Sequence, residues 1–187
     1  MFLRLSGASI MVDTGLYVGR FQPFHLGHLE AIKYILGKVD RAIIAIGSAQ
    51  HSHTLENPFT AGERVAMARL ALDEAGISSE KYFLIPVTDT NVHKLWVAHV
   101  VSQTPAFQVV FSNEPLTVTL FREAGFKVES IPFFSRGMYS ATEIRQRMLK
   151  SQEWSSLVPR SVALFIKEIK GEERLRYLSG SDKIKIS

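Results

Sequence analysis

The sequence Gly19-Arg-Phe-Gln-Pro-Phe-His25-Leu-Gly-His28 follows the short apolar run Leu16-Tyr17-Val18 and leads into an amphipathic segment that ends at Leu36. This order predicts a strand, a glycine-containing turn and a helix that begins beside two imidazoles. A helix N-terminus leaves backbone N–H groups without intrahelical acceptors and favours negative charge. With Arg20 alongside, the anion that fits best is a phosphate chain, which is bound by converging donors. The stretch therefore indicates a nucleotide-handling enzyme.

The rest of the chain alternates between apolar, β-branched runs and helical patterns. Strands are predicted at residues 15–18, 41–46, 82–87, 107–111 and 126–131, and helices at 26–38, 60–76, 92–103, 114–124, 140–151 and 157–170. Such alternation is typical of right-handed βαβ units around a parallel sheet. We therefore predict an α/β protein, a Rossmann-like doubly wound parallel sheet with C-terminal helices. Its ligand should lie beyond the carboxyl ends of the strands, where the turns after strands one, two, three and five converge.

The predicted domain organisation is simple. Residues 1–14 are expected to form an N-terminal extension, residues 15–178 a single domain, and residues 179–187 a disordered tail. The last predicted helix begins with Pro159, since proline favours the first helical position, and stops before Gly171.

Composition narrows the class of protein. The chain has 187 residues, which suits one domain, and it has no cysteine, which excludes disulfides and thiolate metal sites. No apolar run is long enough to span a membrane and no signal-peptide pattern is present, so a soluble cytoplasmic protein is expected. The formal net charge is +4, with the basic excess in residues 136–187. No RNA-binding aromatic motif accompanies that excess, so neither nucleic acid nor membrane is expected as a partner.

Three interpretations of the histidine pair are open from the sequence. His25 and His28 are three residues apart and project from one helical face. They could cap or pack the helix, bind a metal with further histidines, or contact phosphate, and the nearby Gly19 and Arg20 favour phosphate. The histidines available as further metal ligands are His51, His53, His93 and His99.

A second helix start lies at Ser140. Ser140 and Glu143 match a capping box, in which Ser140 accepts from the N–H of Glu143 and Glu143 reaches back. Thr142 and Arg145 would add a hydroxyl and a guanidinium at the same helix end. Two such ends facing each other could clamp a triphosphate.

The stretch between the second strand and the next helix has two parts. Its small polar loop, Gly47 to Thr54, is where α/β proteins place binding groups. Thr60 and Glu63 match another capping box, and Arg64 beside them is expected to face solvent. Further along, Trp96 is either a core residue or a ring that stacks on a planar heterocycle.

Together these residues resemble nucleotidyltransferases of the His-x-Gly-His superfamily, and within it the archaeal-type nicotinamide-nucleotide adenylyltransferases. The resemblance covers roughly residues 15–178. It rests on GRFQPFHLGH (19–28), GSAQHSHTLENPFTAGER (47–64), the Trp96 segment, FSNEPLTVTLFREAG (111–125), YSATEIRQRML (139–149) and LVPRSVALFIKEIKGEERL (157–175). It implies the nucleotidyltransferase fold and transfer of AMP from ATP to nicotinamide mononucleotide (NMN), giving NAD and pyrophosphate. A superfamily member with a different phosphorylated acceptor is the alternative.

The resemblance also implies roles for individual residues. The catalytic residues would be Arg20, His25, His28 and Arg145. ATP and its phosphates would be bound by Gly19, Arg20, Phe21, His25, Gly27, His28, Ser140, Thr142 and Arg145. NMN would be bound by Gly47, Ser48, His53, Thr54 and Trp96, with Trp96 stacked on the nicotinamide ring.

Mg²⁺ is implied as an ion held mainly by the ATP phosphates, with no metal ligand from the protein. The resemblance further implies a symmetric homo-oligomer, a hexamer. Two positions depart from the family pattern. Ala141 replaces a common glycine after Ser140, which makes a left-handed backbone there less favourable, and Glu114 places a carboxylate where a neutral residue is more usual.

Overall fold

The computed structural model describes residues 13–90, 92–132 and 140–184. Its centre is a sheet of five strands that all run parallel, in the spatial order β3-β2-β1-β4-β5. The strands are β1 (Thr14–Gly19), β2 (Arg41–Ile46), β3 (Tyr82–Pro86), β4 (Val109–Phe111) and β5 (Lys127–Glu129). Each lies within two residues of its predicted position, because runs of β-branched residues bounded by turns are a strong local signal.

Helices cover both faces of the sheet, so the doubly wound prediction is confirmed. They are α1 (Leu26–Leu36), α2 (Ala61–Glu74), α3 (His93–Gln103), α4 (Pro115–Glu123), α5 (Ala141–Leu149), α6 (Arg160–Glu168) and α7 (Gly171–Ile184). Buried side chains of β2 alternate between two cores. Ala42, Ile44 and Ile46 pack with α1, α2, α5 and α6, while Ile43 and Ala45 pack with residues of α3 and α4.

The strand order places a switch point between β1 and β4. Connections from β1 lead in one direction to β2 and β3, and the chain then crosses back to β4 and β5 on the other side of β1. In such sheets the crevice above the switch point receives the ligand. The turn that opens this crevice is the one after β1, which carries Arg20 and His25.

The C-terminal helix α7 was not predicted. Helical structure was expected to stop before Gly171, whereas the chain only turns there, with Lys170 at φ 55°, and a new helix runs on past residue 178 to Ile184. Gly171 suits this corner because a Cβ at that position would lie 2.8 Å from the Phe59 ring. Arg174 and Glu172 then attach α7 to the body of the protein, by bonds that local sequence patterns do not reveal. Within the described ranges, no helix is both long and apolar enough to cross a membrane.

Candidate active site

The two histidines after β1 form a reciprocal cap at the start of α1. His25 is the N-cap residue, and its Nδ1 accepts the backbone N–H of His28 at 3.3 Å. The Nδ1 of His28 in turn accepts the backbone N–H of His25 at 3.2 Å, and the rings stack with centroids 3.5 Å apart. Since each Nδ1 is an acceptor, the proton of each neutral ring lies on Nε2. The capping interpretation thus holds for Nδ1, and it leaves both Nε2–H groups as donors.

Burial keeps this pair uncharged. It lowers the pKa of His25 from 6.5 to about 4, and the side chain is only 7% exposed. His28 keeps part of its surface accessible, but packing against Phe21 and Phe24 desolvates its ring and the neighbouring His25 disfavours a second charge. Both effects hold the pKa of His28 well below 6.5. At neutral pH the pair therefore offers hydrogen bonds without positive charge.

Positive charge comes from Arg20 and Arg145. Arg145 lies on α5 and is 9% exposed, and its Nη1 donates to the carbonyl of Gln22 at 2.8 Å. Burial and the nearby Arg20 both lower the pKa of Arg145. Two guanidinium groups that repel each other in a partly desolvated site have a strong affinity for an anion between them.

A cavity of about 310 Å³ lies between these cations. It is lined by Arg20, Glu56, Thr142 and Arg145, together with Leu55, Gln146 and Leu149. The Thr142 hydroxyl accepts from Arg145 Nη2 at 3.4 Å. Ser140 caps α5 by accepting from the N–H of Glu143 at 3.0 Å, but the second half of the predicted capping box is absent. The Glu143 carboxylate instead pairs with Arg147 at 2.8 Å, one turn along the helix, which offers a charged partner in place of a backbone N–H.

A second cavity, of about 460 Å³, opens above the switch point between β1 and β4. Its walls are Val18, Gly19, Arg20, Gly47, Ser48, Asp89, Thr90, His93, Trp96, Glu114, Leu116, Thr117 and Leu120. The turns after β1 to β4 converge here, so the turns predicted after the first three strands are joined by the turn after β4, which was not predicted. Residues 133–139, which follow β5, lie outside the described residues. Trp96 packs on Phe121 in the core, with the ring centroids 5.6 Å apart, and it also lines this cavity. Stacking of Trp96 on a ligand stays a prediction.

A third cavity, of about 650 Å³, is lined by Arg20, Ser48, His51, Thr54, Leu55, Glu56, Asn57 and Asp89. Arg20 is therefore common to all three cavities. The structure does not bring His53 to any of them. Its side chain is exposed and bonds to the Ser52 hydroxyl at 2.9 Å, and its backbone has a positive φ of 58°.

Three of the residues predicted to bind ATP, Gly19, Phe21 and Gly27, contribute backbone or core packing in this structure. The Phe21 side chain is 1% exposed and packs among Tyr17, Phe24 and His28. Gly19 is required by this packing, because a Cβ there would lie 2.8 Å from the Phe21 ring. Gly27 is in the first turn of α1.

Two further points from the sequence can be compared with the structure: the backbone at Ala141, and the interpretation of the histidines as metal ligands. Ala141 is the first residue of α5, so the left-handed conformation expected of a glycine is not used. Among the described residues, no group of three or more histidines and carboxylates could hold a metal ion.

Arg64 is the main residue that sequence reasoning misplaced. It was expected in solvent, but its side chain is 0% exposed. Its guanidinium donates to the carbonyls of Arg20 at 2.9 Å, Gly47 at 2.7 Å and Ser48 at 3.1 Å, and its Nε donates to Thr60 at 3.2 Å. Burial lowers the pKa of Arg64 to about 10, so it remains charged at neutral pH. Arg64 thus ties the turn after β1 to the loop after β2.

Two further bonds complete this framework. The Gln22 amide pairs with both backbone groups of Phe59, at 2.9 and 3.0 Å. Glu63 caps α2 with Thr60 as predicted, and it also forms a two-pronged ion pair with Arg174 of α7 at 2.7 Å. Sequence spacing gave no sign of either contact, since both join residues far apart in the chain.

Comparison with known proteins shows the family to which this chain belongs. The model of the cytidylyltransferase-like family matches residues 16–147. The chain is 54% identical over 169 residues to the nicotinamide-nucleotide adenylyltransferase of Pyrococcus furiosus, which covers 90% of each chain. It is 55% identical over 170 residues to that of Archaeoglobus fulgidus, covering 89% of this chain and 97% of the other.

Among solved structures, the fold is similar to a bifunctional NMN adenylyltransferase/ADP ribose pyrophosphatase of Francisella tularensis, complexed with AMP and a manganese ion. The TM-score is 0.75 at 22% identity. The match covers 91% of this chain and 54% of that one, so this chain spans about half the length of the bifunctional protein.

Proposed function

This chain belongs to the cytidylyltransferase-like family, and we propose that it is a nicotinamide-nucleotide adenylyltransferase. It transfers AMP from ATP to NMN and releases NAD and pyrophosphate. The high identity to archaeal enzymes of this name supports the proposal. The observation that carries it is the position of Arg20, which lines all three cavities and so lies where two nucleotides would meet.

The reaction needs alignment and charge stabilisation. A phosphate oxygen of NMN attacks the α-phosphorus of ATP, the bond from that phosphorus to the bridging oxygen breaks, and pyrophosphate leaves with the electron pair. Donors that are already fixed in place stabilise such a transition state without reorganising. We assign Arg20 and the Nε2–H groups of His25 and His28 to the transferring phosphate. The first-turn N–H groups of α1, at Gly27 among others, add to this site.

The leaving pyrophosphate is assigned to the cavity at α5. Arg145 and Thr142 line this cavity with a guanidinium and a hydroxyl, and Ser140 caps the N-terminus of the helix that carries them. Mg²⁺ is proposed to enter with ATP as part of the substrate, held by phosphates and water, because the described residues offer no cluster of metal ligands.

The acceptor is assigned to the cavity at the switch point. Trp96 presents an aromatic ring to it, and Gly47 and Ser48 provide a wall of backbone and small side chains on which a sugar phosphate can lie. Thr54 reaches only the adjoining third cavity, and a contact from His53 would require the loop to move. We retain a homo-oligomer, with a hexamer as its expected form, and a cytoplasmic location as proposals from the sequence.

The experiment that tests the function uses the purified full chain with ATP and Mg²⁺. A panel of phosphorylated acceptors is supplied, and pyrophosphate and the dinucleotide product are measured, with CTP in place of ATP as a control. NMN with ATP should give NAD and pyrophosphate in equal amounts. Turnover with flavin mononucleotide, phosphopantetheine or choline phosphate, and none with NMN, would refute the proposal.

A variant of His28 tests the site. His28→Ala should lower kcat by about 10²–10³ fold, the scale for losing one transition-state donor. His28→Gln keeps a neutral N–H donor and should retain more of the activity. Near wild-type turnover in His28→Ala would remove this residue from the mechanism.

A further inference from the structure

Two acidic residues, Asp89 and Glu114, line the acceptor cavity together with Trp96. Given the proposed function, the ligand at this position carries a pyridinium ring with a substituent. In NMN the ring is cationic and the substituent is a neutral carboxamide. In nicotinic acid mononucleotide the substituent is a carboxylate. The charges of this wall therefore bear on which of the two is accepted.

Glu114 is held in place by the start of α4. It is the N-cap residue of this helix, and its carboxylate accepts the backbone N–H groups of Leu116 at 3.1 Å and Thr117 at 2.6 Å. Its own N–H donates to Ser112 at 3.1 Å. The Thr117 and Leu116 bonds outweigh desolvation and lower the pKa of Glu114, so it is ionised at neutral pH. A carboxylate has about four acceptor sites, so the two backbone bonds leave capacity for a ligand N–H.

The negative charges of Asp89 and Glu114 have different charged neighbours. Asp89 acts on the buried Arg64, whose pKa it raises against the effect of burial. Neither Asp89 nor Glu114 forms an ion pair with any residue that the structure describes, so the difference between them is the electrostatic action of Asp89 on Arg64. Arg20, the guanidinium that lines the same cavity, is assigned to phosphate. Glu114 is thus the carboxylate whose charge is left to act on the base of the acceptor.

We propose that Glu114 is a specificity-determining residue that selects the amide form of the mononucleotide over the acid form. Its carboxylate attracts the pyridinium charge and can accept an N–H of the carboxamide. The same carboxylate repels the ring carboxylate of nicotinic acid mononucleotide, which has no N–H to donate there. The wild-type enzyme is therefore expected to have a higher kcat/KM for NMN than for nicotinic acid mononucleotide.

Matched variants separate charge from structure. Glu114→Asn removes the charge but keeps a side chain that caps helices well, and Glu114→Asp keeps both charge and cap. The ratio of kcat/KM for NMN to that for nicotinic acid mononucleotide should fall about three- to tenfold in Glu114→Asn, the effect of one partly exposed charge. It should remain close to wild type in Glu114→Asp. A ratio unchanged in Glu114→Asn, or lowered equally in Glu114→Asp, would overturn the proposal.

Ionic strength provides a second test that needs no variant. For the wild-type protein, the ratio of kcat/KM for NMN to that for nicotinic acid mononucleotide should fall as the salt concentration rises from about 0.05 to about 0.5 M, because salt screens exposed charges. A preference that salt does not change would count against Glu114.

A failure of the proposed function is seen separately, as an absence of dinucleotide from either acceptor. In that case, calorimetric titration of each mononucleotide into wild type and Glu114→Asn gives the two Kd values, and their ratio tests the role of Glu114.

Discussion

Replacing Arg64 with lysine should destabilise the protein far more than a like substitution on the same helix. Arg64 makes four hydrogen bonds to backbone carbonyls, and these carbonyls belong to three separate segments. A planar guanidinium reaches them together because its donors point in fixed, diverging directions. The ammonium of a lysine is a compact group on a flexible stem, and it cannot span the same set.

The magnitude follows from the carbonyls left without a partner. A buried acceptor that loses its donor costs about 1–3 kcal/mol, so losing two of the four bonds costs roughly 2–6 kcal/mol. The total free energy of unfolding of a domain is about 5–15 kcal/mol. At roughly 2–4 °C per kcal/mol for a chain of this size, Tm should fall by about 4–24 °C. The turn after β1 would also lose its attachment to the loop after β2.

Thermal and urea unfolding of Arg64→Lys, with Arg69→Lys as the control, measures this effect. Arg69 lies on the same helix but its side chain is 50% exposed, and its partners are the exposed Asp73 carboxylate at 2.9 Å and the face of the Tyr82 ring at 5.9 Å. The control should change the free energy of unfolding by less than about 0.5 kcal/mol. If Arg64→Lys is destabilised by no more than the control, the four bonds do not hold the loops together and the reasoning fails.

Three further predictions concern the site. The folded state should lose stability as the pH falls from 6.5 toward 4, because His25 and His28 bind protons more weakly in the folded than in the unfolded chain. His25 alone, with its pKa at about 4, accounts for roughly 2 kcal/mol of lost stability at pH 5. Urea unfolding of His25→Asn that shows the same pH dependence as the wild type would contradict this. Trp96→Ala should raise the acceptor KM by a few-fold to about thirtyfold, because it removes a stacking and cation–π energy of about 0.5–2 kcal/mol, and it should leave the KM of ATP nearly unchanged. Steady-state kinetics with each substrate varied in turn measure both constants. An equal rise in the two KM values would indicate that the ring serves only the core. Arg145→Lys should weaken pyrophosphate binding in the reverse reaction, since the compact ammonium of lysine cannot replace the planar guanidinium with its several fixed donors. Normal pyrophosphate affinity in Arg145→Ala would indicate that residues 140–145 serve only to cap the helix.

Several features were predicted correctly because the chain carries them locally. The five strands and helices α1 to α6 lie close to their predicted positions, since each depends on the periodicity of its own segment. The cap at Thr60 and Glu63 was also correct, because its two partners are three residues apart. The second half of the Ser140 cap was wrong, as Arg147 competed for the Glu143 carboxylate one turn further on.

By itself, the sequence determined the parallel sheet, the order of its elements and the turn that places Arg20, His25 and His28 at the edge of β1. These depend on hydrophobic period, turn residues and helix-end chemistry, all of which act within a few residues. Only the tertiary structure decided the burial of Arg64, the neutral state of the histidine pair, the anchoring of α7 through Arg174, and the shared cavity of Trp96 and Glu114. Desolvation and long-range hydrogen bonds arise only when distant segments meet, because no single segment contains both partners.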